Sequence, residues 1–193
     1  MALILASSSP IRRSMLDAAG VEYEAVPPHL DEGSVKANLS AADAIASELA
    51  AAKALAISAV RPRDWVVGSD SVVSVGERLF DKPWDREEAA DHLRFFSGKL
   101  MELTSAVALA RGDNVDWCHV ERAQLQVRPL SPEFIERYLD AEWPDVGYCV
   151  GVFRMEGRGV QLFEAVEGDH FTILGMPLIP LLGALRSRGL LLE

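Results

Sequence analysis

Two arginines near the start of the chain stand where cations are unusual. The apolar run Leu3–Ala6 predicts a buried strand, and Ser9 followed by Pro10 predicts the start of a helix, because serine caps helices and proline suits the first helical position. Arg12 and Arg13 then fall in the first helical turn, where the helix dipole disfavours positive charge. A bound anion would explain their presence.

The loop before this helix supplies further donors for such an anion. The hydroxyls of Ser7 and Ser8 and the backbone N–H groups of the first turn can bond phosphate oxygens, and arginine binds these oxygens two at a time. The alternative is an ordinary capped helix in which Arg13 pairs with Asp17 four residues later. The segment alone favours neither explanation.

An aspartate interrupts the most valine-rich run of the chain. The segment Trp65–Val75 predicts a strand, yet Gly68, Asp70 and Ser71 lie at its centre. A strand of this type is covered on both faces, so an aspartate within it is costly unless it is paired, hydrogen-bonded or bound to a metal. Asp70 is therefore a candidate for proton transfer or metal binding. The alternative is a carboxylate held by neighbouring amides, with a bulge at Gly68.

Three more charged residues fall at predicted element ends. Glu32 lies in a predicted loop at 29–33, just after a strand, where open α/β sheets collect their ligands. Lys53 is the only cation on an alanine-rich helix predicted at 40–59, and Lys82 precedes a proline that holds it extended at a strand end. A solvated acid at Glu32 and a lysine that extends to water at Lys53 are the alternatives.

Cations beside acids suit a metal-assisted reaction of a phosphate compound. The carboxylates would hold a divalent ion, the ion and the basic side chains would neutralise a polyphosphate, and one carboxylate would orient or deprotonate water. The chain lacks the P-loop pattern, and Gly157-Arg-Gly159 is not the dinucleotide-binding fingerprint. The residues by themselves predict phosphate-anhydride hydrolysis or binding, without naming a base.

The elements that must position these residues alternate between strand and helix. A second strand is predicted at 21–26, and Ser40 with Asp43 predicts a capping box at the start of the alanine-rich helix. The strand, helix, strand order near the amino terminus predicts a parallel pair in an α/β sheet.

The middle of the chain adds antiparallel strands to this sheet. The alternating runs 100–110 and 115–127 predict a β-hairpin, so the sheet is predicted to be mixed. Glu156 lies in a glycine-rich, irregular segment at 143–159, which would let the backbone approach a ligand closely. No repeat or linker is evident, and residues 1–193 are predicted to form a single domain.

Composition narrows the choice of partners and location. The net charge of −10 argues against a partner bound through a nucleic-acid backbone. Cys118 and Cys149 have neither the spacing of a zinc site nor the number of a disulfide framework. The sequence also contains no signal peptide pattern and no apolar run of about 18 residues. We therefore expect a cytoplasmic protein without nucleic-acid or membrane partners.

Several short motifs together resemble the Maf family of nucleoside triphosphate pyrophosphatases. They occur in the family's order and cover nearly the whole chain, although each alone is weakly specific. They are Ser-Ser-Ser-Pro-x-Arg-Arg at 7–13, Asp31-Glu32, Lys53, Gly-Ser-Asp at 68–70, Lys82-Pro83, Phe-Ser-Gly at 96–98, Glu-Gly-Asp at 167–169 and Gly-Met-Pro at 175–177.

The resemblance implies a fold and a reaction. The fold would be elongated, related to the inosine triphosphate pyrophosphatases, with a mixed, strongly twisted sheet flanked by helices, two lobes around a central cleft, and often a homodimer. The reaction would be cleavage of a nucleoside triphosphate between the α- and β-phosphates, to a nucleoside monophosphate and pyrophosphate, with Mg²⁺, Mn²⁺ or Co²⁺ as cofactor.

The resemblance also implies roles for individual residues. Asp70 matches the proton acceptor, and Glu32 matches a contact to metal or water, so these two carboxylates would hold the metal. The positions that match the triphosphate contacts are Arg13, Lys53 and Lys82, which we group with Ser7, Ser8 and Arg12 as the predicted substrate-binding residues.

Three positions bear on the choice of base. At Ile11, Ser71 and Glu156, the branch that resembles dTTP and UTP pyrophosphatases typically has arginine, threonine and glutamine, and the branch that resembles 7-methyl-GTP pyrophosphatases has tryptophan, glutamine and glutamate. Glu156 matches the second branch, whereas Ile11 and Ser71 match neither. A modified purine is therefore expected, and a dTTP or UTP type of enzyme is the alternative. A non-catalytic, nucleotide-binding regulator of cell division is a further alternative from a different functional class.

Overall fold

The computed structural model of the protein describes residues 1–37 and 39–192, which fall into two units. The first unit takes residues 1–71, 104–121 and the chain from 169 onward, and the second takes 72–103 and 122–168. The three longest strands each contribute residues to both units. Each unit is described by itself below.

The elements follow one another in a mixed α/β order. The strands are β1 (Leu3–Ala6), β2 (Glu24–Ala25), β3 (Trp65–Val75), β4 (Arg78–Phe80), β5 (Leu100–Arg111), β6 (Asn114–Val127) and β7 (Phe163–Glu167). The helices are α1 (Pro10–Ala18), α2 (Glu32–Lys36), α3 (Ala42–Ser58), α4 (Arg86–Phe96), α5 (Pro132–Glu142), α6 (His170–Ile173) and α7 (Leu178–Arg186). Two short 3-10 helices cover Asp145–Tyr148 and Arg158–Leu162. No helix in the described part of the chain combines the length and the hydropathy needed to span a membrane.

In the first unit the sheet has the order β2, β1, β3, β5, β6. Strand β1 pairs in parallel with both neighbours, and its last residue, Ala6, lies opposite Gly68 of β3. Alternate side chains of β1 enter two different cores. Leu3 and Leu5 pack with helices α1 and α7, whereas Ile4 packs with α3 on the other face. The sheet of this unit is therefore covered by helices on both faces.

Gly68 is required by the close approach of α3 to β3. A Cβ atom at this position would lie 2.1 Å from the Ala50 carbonyl oxygen and 2.6 Å from the Ala54 backbone nitrogen. Any side chain would push the helix away from the strand. Gly68 pairs in register with Ala6, so it marks this contact and not the bulge that we had considered.

In the second unit, α4 and α5 pack together. Strand β4 pairs antiparallel with the end of β3, and β7 pairs antiparallel with β6. Arg86 on α4 bonds two acids of α5, Glu136 at 2.9 Å and Asp140 at 2.7 Å. With parallel pairs in the first unit and antiparallel pairs here, the predicted mixed sheet flanked by helices is confirmed.

Three local predictions were wrong. The strand expected at 21–26 covers only Glu24–Ala25. The segment that contains Glu32 is not a loop but the helix α2, because the Asp31 carboxylate accepts bonds from two backbone N–H groups and starts it. The predicted capping box of Ser40 is absent, since α3 is preceded by Ala41 and has no side-chain cap. Single-domain organisation, the elongated form and the central cleft stay predictions.

Candidate active site

The candidate active site lies in the first unit, where the parallel strands β1 and β3 lead into polar residues. Because Ala6 lies opposite Gly68, the chain leaves β1 at Ser7 beside the point where β3 reaches Asp70. The Asp70 residue is only 8% exposed. An acid buried to this degree needs a partner, and helix α3 supplies it.

Lys53 lies between two carboxylates. Its Nζ donates to Asp70 Oδ1 at 2.5 Å and pairs with Glu32 Oε1 at 2.8 Å. The close packing of α3 on Gly68 sets this distance, because Lys53 immediately precedes Ala54, whose backbone lies against that glycine. Glu32 is positioned as the first residue of α2. Of the residues predicted for the site, the structure brings these three together.

The three side chains carry a formal charge of −1, from two carboxylates and one ammonium. The Lys53 and Asp70 side chains are 11% and 12% exposed, whereas the Glu32 side chain is 45% exposed. Asp70 thus has a fixed hydrogen-bond partner in a protected position, which is the geometry that a general base needs. Glu32 is therefore the part of the cluster that faces solvent.

Arg12 bonds groups of the protein itself, and its predicted contact to phosphate stays a prediction. Its Nε donates to the Gly175 carbonyl at 2.9 Å and its Nη1 to the Ser69 carbonyl at 2.9 Å, while Nη2 lies 3.3 Å from Ser71 Oγ. Burial lowers the pKa of the Arg12 guanidinium from its ordinary value, while the nearby carboxylates of Asp70 and Glu32 raise it. The side chain is built into the unit beside the acidic cluster.

The serine loop is partly internal. Ser7 is buried and its hydroxyl accepts a bond from the Ser9 N–H at 3.1 Å, and Ser9 caps α1 as predicted. Ser8 and Arg13 are exposed, and Ile11 is half-buried. The substrate-binding roles of Ser7, Ser8 and Arg13 and the specificity role of Ile11 stay predictions.

The Ser71 hydroxyl takes part in an internal polar network. It lies 2.9 Å from Ser105 Oγ and 3.1 Å from the Gly175 carbonyl, and Ser105 Oγ donates in turn to the Thr172 carbonyl at 2.8 Å. Sequence patterns missed Ser105 and Gly175 as parts of the site. The available signals were a polar pair inside the apolar run of β5 and the Gly-Met-Pro motif.

The other two predicted site residues belong to the second unit. Lys82 is exposed at the end of β4, and Glu156 is exposed in a turn. Both act electrostatically on the Cys149 thiol. Burial is the largest cause that raises the pKa of this thiol to about 11, and Glu156 raises it further, while Arg154 and Lys82 lower it. Lys82 and Glu156 therefore lie in the same neighbourhood of this unit.

A buried ion pair holds the segment that carries Glu156. Glu142, at the end of α5, is 6% exposed, and its Oε2 accepts from Arg154 Nε at 3.3 Å and from Nη2 at 2.9 Å. Arg154 also donates to Asp145 Oδ2 at 2.9 Å. Gly159 packs on the Arg154 backbone so closely that a Cβ atom would lie 2.5 Å from its carbonyl oxygen. Sequence patterns did not single out Glu142 or Arg154.

The two acids beside Lys53 offer carboxylate oxygens, which are the donor type that hard divalent cations prefer. In residues 1–37 and 39–192, no three His, Cys, Asp or Glu side chains form a metal-binding group. A protein that offers one or two carboxylates, and leaves the other positions to water and substrate phosphates, matches the preference of Mg²⁺. Asp70 and Glu32 would be those carboxylates.

Comparison with known proteins identifies the family. The model of the family described as Maf-like protein matches residues 2–188. The chain belongs to the Maf family. Two relatives are named 7-methyl-GTP pyrophosphatase. One, from Rhizobium etli, is 49% identical over 191 residues, with 97% of this chain and 96% of the relative covered. The other, from Rhizobium meliloti, is 46% identical with the same coverage. A Maf relative from Rhodopseudomonas palustris, named nucleoside triphosphate pyrophosphatase, is 45% identical, with 98% of this chain and 95% of the relative covered.

Two solved structures are distantly similar to this Maf protein. A HAM1 protein from Coxiella burnetii has a TM-score of 0.45 at 14% identity and covers 65% of this chain and 72% of its own. A nucleoside-triphosphatase / dITP/XTP pyrophosphatase from Mycobacterium abscessus has a TM-score of 0.42 at 17% identity and covers 75% of this chain and 100% of its own.

Proposed function

We propose that this Maf protein hydrolyses a nucleoside triphosphate to a nucleoside monophosphate and pyrophosphate. The observation that carries the proposal is the contact of Lys53 with both Asp70 and Glu32. It supplies a buried carboxylate for proton transfer, a fixed ammonium, and a second carboxylate at the exposed edge. The names of the pyrophosphatase relatives support the same activity.

In the proposed reaction, Asp70 orients a water molecule and accepts its proton. The water oxygen bonds to the α-phosphorus as the bond between this phosphorus and the oxygen that bridges to the β-phosphate breaks. The pyrophosphate group leaves with the electron pair of that bond. Lys53 holds Asp70 Oδ1 in place by the 2.5 Å bond, which fixes the direction of the carboxylate before substrate binds. Arg13, exposed in the first unit, is a proposed contact for the triphosphate, and the substrate-binding role of Lys82 stays a prediction.

We also propose dependence on a divalent cation. The three-residue cluster keeps a formal charge of −1, and a triphosphate brings several more negative charges, so the two would repel one another. Asp70 and Glu32 are the residues that would hold Mg²⁺, Mn²⁺ or Co²⁺, which would supply neutralisation of the phosphate charge.

For the base, we propose a modified purine such as 7-methyl-GTP. The support is the name of the relatives at 46–49% identity and the glutamate at position 156. A carboxylate can accept from the N–H groups of guanine or face a ring that methylation has made cationic. Homodimer formation and a cytoplasmic location also stay predictions.

The deciding experiment is a nucleotide panel with the purified protein. Each nucleotide is incubated with Mg²⁺, Mn²⁺ or Co²⁺, and pyrophosphate and orthophosphate are measured separately, with and without chelator. We expect pyrophosphate, with the highest kcat/KM on a modified purine. Release of orthophosphate would exclude the reaction, and tight binding by calorimetry without product over hours would favour the non-catalytic regulator.

The variant Asp70→Asn tests the assigned base in the same assay. We expect kcat to fall by about 10³-fold or more in a protein that still folds, because the amide cannot accept the proton. Asp113→Asn, at an exposed hairpin turn, is the matched control and keeps full activity. Turnover of Asp70→Asn near that of the wild type would remove Asp70 from its role.

A further inference from the structure

The guanidinium of Arg12 joins three separate parts of the first unit. Its bonds go to the Ser69 carbonyl, the Ser71 hydroxyl and the Gly175 carbonyl. Ser69 and Ser71 flank Asp70 on both sides in β3. Two of the acceptors of Arg12 therefore belong to the residues directly before and after the proposed base.

Gly175 is the fixed point to which this strand segment is tied. Its carbonyl accepts from Arg12 Nε at 2.9 Å, from Ser69 Oγ at 3.1 Å and from Ser71 Oγ at 3.1 Å. Gly175 has a φ of +101°, and a Cβ atom there would lie 3.2 Å from Ser71 Oγ and 3.7 Å from Arg12 Nη2. The conformation favours glycine at this turn, and the space beside Ser71 is tight for any side chain.

Arginine is the side chain that suits this arrangement. Three acceptors that lie in different directions around one planar group match the fixed fork of a guanidinium, whereas a lysine ammonium is a compact charge that cannot span them. Ser69 adds a second tie, since its buried hydroxyl shares its single proton between the Ala106 carbonyl of β5 at 2.7 Å and the Gly175 carbonyl at 3.1 Å. Strand β3 is thus fixed at Asp70 from α1, from β5 and from the turn at 175.

We propose that Arg12 is a positioning residue, which holds β3 at Ser69 and Ser71 so that the Asp70 carboxylate keeps its direction toward Lys53 and the reacting water. In this role Arg12 acts through the backbone and does not bind the triphosphate. The inference rests on the proposed pyrophosphatase function and replaces the phosphate contact expected for Arg12.

The test measures kcat and substrate affinity separately in the variant Arg12→Lys. This variant keeps the positive charge and loses the planar guanidinium that spans the three acceptors. We expect kcat to fall by about 10²-fold, the loss that a displacement of roughly 1 Å can cause. KM should stay within about threefold of the wild-type value. The same range applies to two affinities measured by calorimetry, one for inorganic pyrophosphate and one for a triphosphate with a methylene bridge between the α- and β-phosphates. Arg63→Lys, at an exposed turn of the same unit, is the matched control with wild-type activity.

Two outcomes overturn the role of Arg12. One is a loss of about tenfold or more in affinity for either probe, which would show that Arg12 contacts phosphate directly. The other is a kcat of Arg12→Lys within threefold of the wild type. If the wild type itself releases no pyrophosphate, the proposed function fails as well, so the two failures are distinguishable.

A second variant decides the question if Arg12→Lys does not fold. Ser69→Ala removes one tie to Gly175 and leaves the Arg12 charge in place. We expect a smaller fall in kcat, about fivefold to tenfold, with unchanged KM and pyrophosphate affinity. A kcat within twofold of the wild type in a folded Ser69→Ala protein overturns the proposal.

Discussion

The two units each contain a buried ion cluster, and the clusters have opposite designs. In the first unit one nitrogen, Lys53 Nζ, contacts two carboxylates, Asp70 and Glu32. In the second unit one buried carboxylate, Glu142, is bound through two nitrogens of Arg154, with Arg158 at 3.8 Å. The first cluster has an excess of acid, whereas Glu142 has an excess of basic partners.

The difference separates a reactive cluster from a structural one. Glu142 Oε2 is held by two nitrogens of one arginine fork, which fixes the carboxylate in one geometry and suits a fixed support. A lysine shared between two acids is a single point charge without the fixed fork of a guanidinium, so it holds each carboxylate through one oxygen only. On this basis the Asp70 cluster is expected to determine rate, and the Glu142 cluster to determine stability.

Among the changes that compare the two clusters, the largest effect is expected from Lys53→Met, which keeps most of the length of the side chain and removes the charge. Without the ammonium, Asp70 loses its partner at 2.5 Å and its fixed direction, and the substrate loses a cation. We expect kcat/KM for pyrophosphate release to fall by about 10²-fold to 10³-fold.

Lys99→Met is the control for loss of a lysine charge, since Lys99 is exposed in the second unit and lies over the Phe95 ring at 3.5 Å. It should keep full activity. A Lys53→Met protein with activity within threefold of the wild type would contradict the assignment of the reactive cluster.

Glu142→Gln should instead change stability. The amide cannot match the charge of Arg154, which is itself 33% exposed in its side chain and so can recover some hydration. We expect the free energy of unfolding in urea to fall by about 1–3 kcal/mol, while kcat changes less than threefold. Glu142→Gln with wild-type stability and strongly reduced kcat would reverse the comparison.

The control for this change is Glu133→Gln on the same helix. Glu133 pairs with Arg137 at 2.8 Å, but their side chains are 73% and 79% exposed. An exposed pair of this kind contributes little, so the free energy of unfolding should change by less than about 0.5 kcal/mol.

The two clusters also differ in how far the sequence predicted them. Asp70 was predictable because a polar residue at the centre of an apolar strand is costly without a function. Glu142 was not, because an acid at the end of an amphipathic helix looks like many exposed acids, and its partner follows an irregular segment. Hydrogen bonds between residues that are distant in the chain were also missed. Arg12, for example, lies 163 residues from Gly175. Local patterns predict which side chain is unusual but not which distant backbone group it bonds.

The smallest expected effect concerns pH and a third ionisable group, His92 on α4. Burial lowers the pKa of His92 from 6.5, Glu88, Asp91 and Asp81 raise it by smaller amounts, and Arg78 lowers it. The folded protein therefore binds a proton at His92 less readily than the unfolded chain does. Stability is fully present above pH 6.5 and is lost as the pH falls from 6.5 toward the lowered pKa.

The variant His92→Phe should remove this part of the pH dependence. The ring packs against Phe80 and Phe96, with centroid distances of 5.1 Å and 5.8 Å, and its Nδ1 has no hydrogen-bond partner among the described residues. Between about pH 7.5 and pH 5.5, the free energy of unfolding should fall less in His92→Phe than in the wild type. His29→Gln, at an exposed position, should keep the wild-type slope. Equal slopes in His92→Phe and the wild type would mean that His92 contributes nothing to this loss, and that the acid sensitivity of the second unit has its origin at other groups.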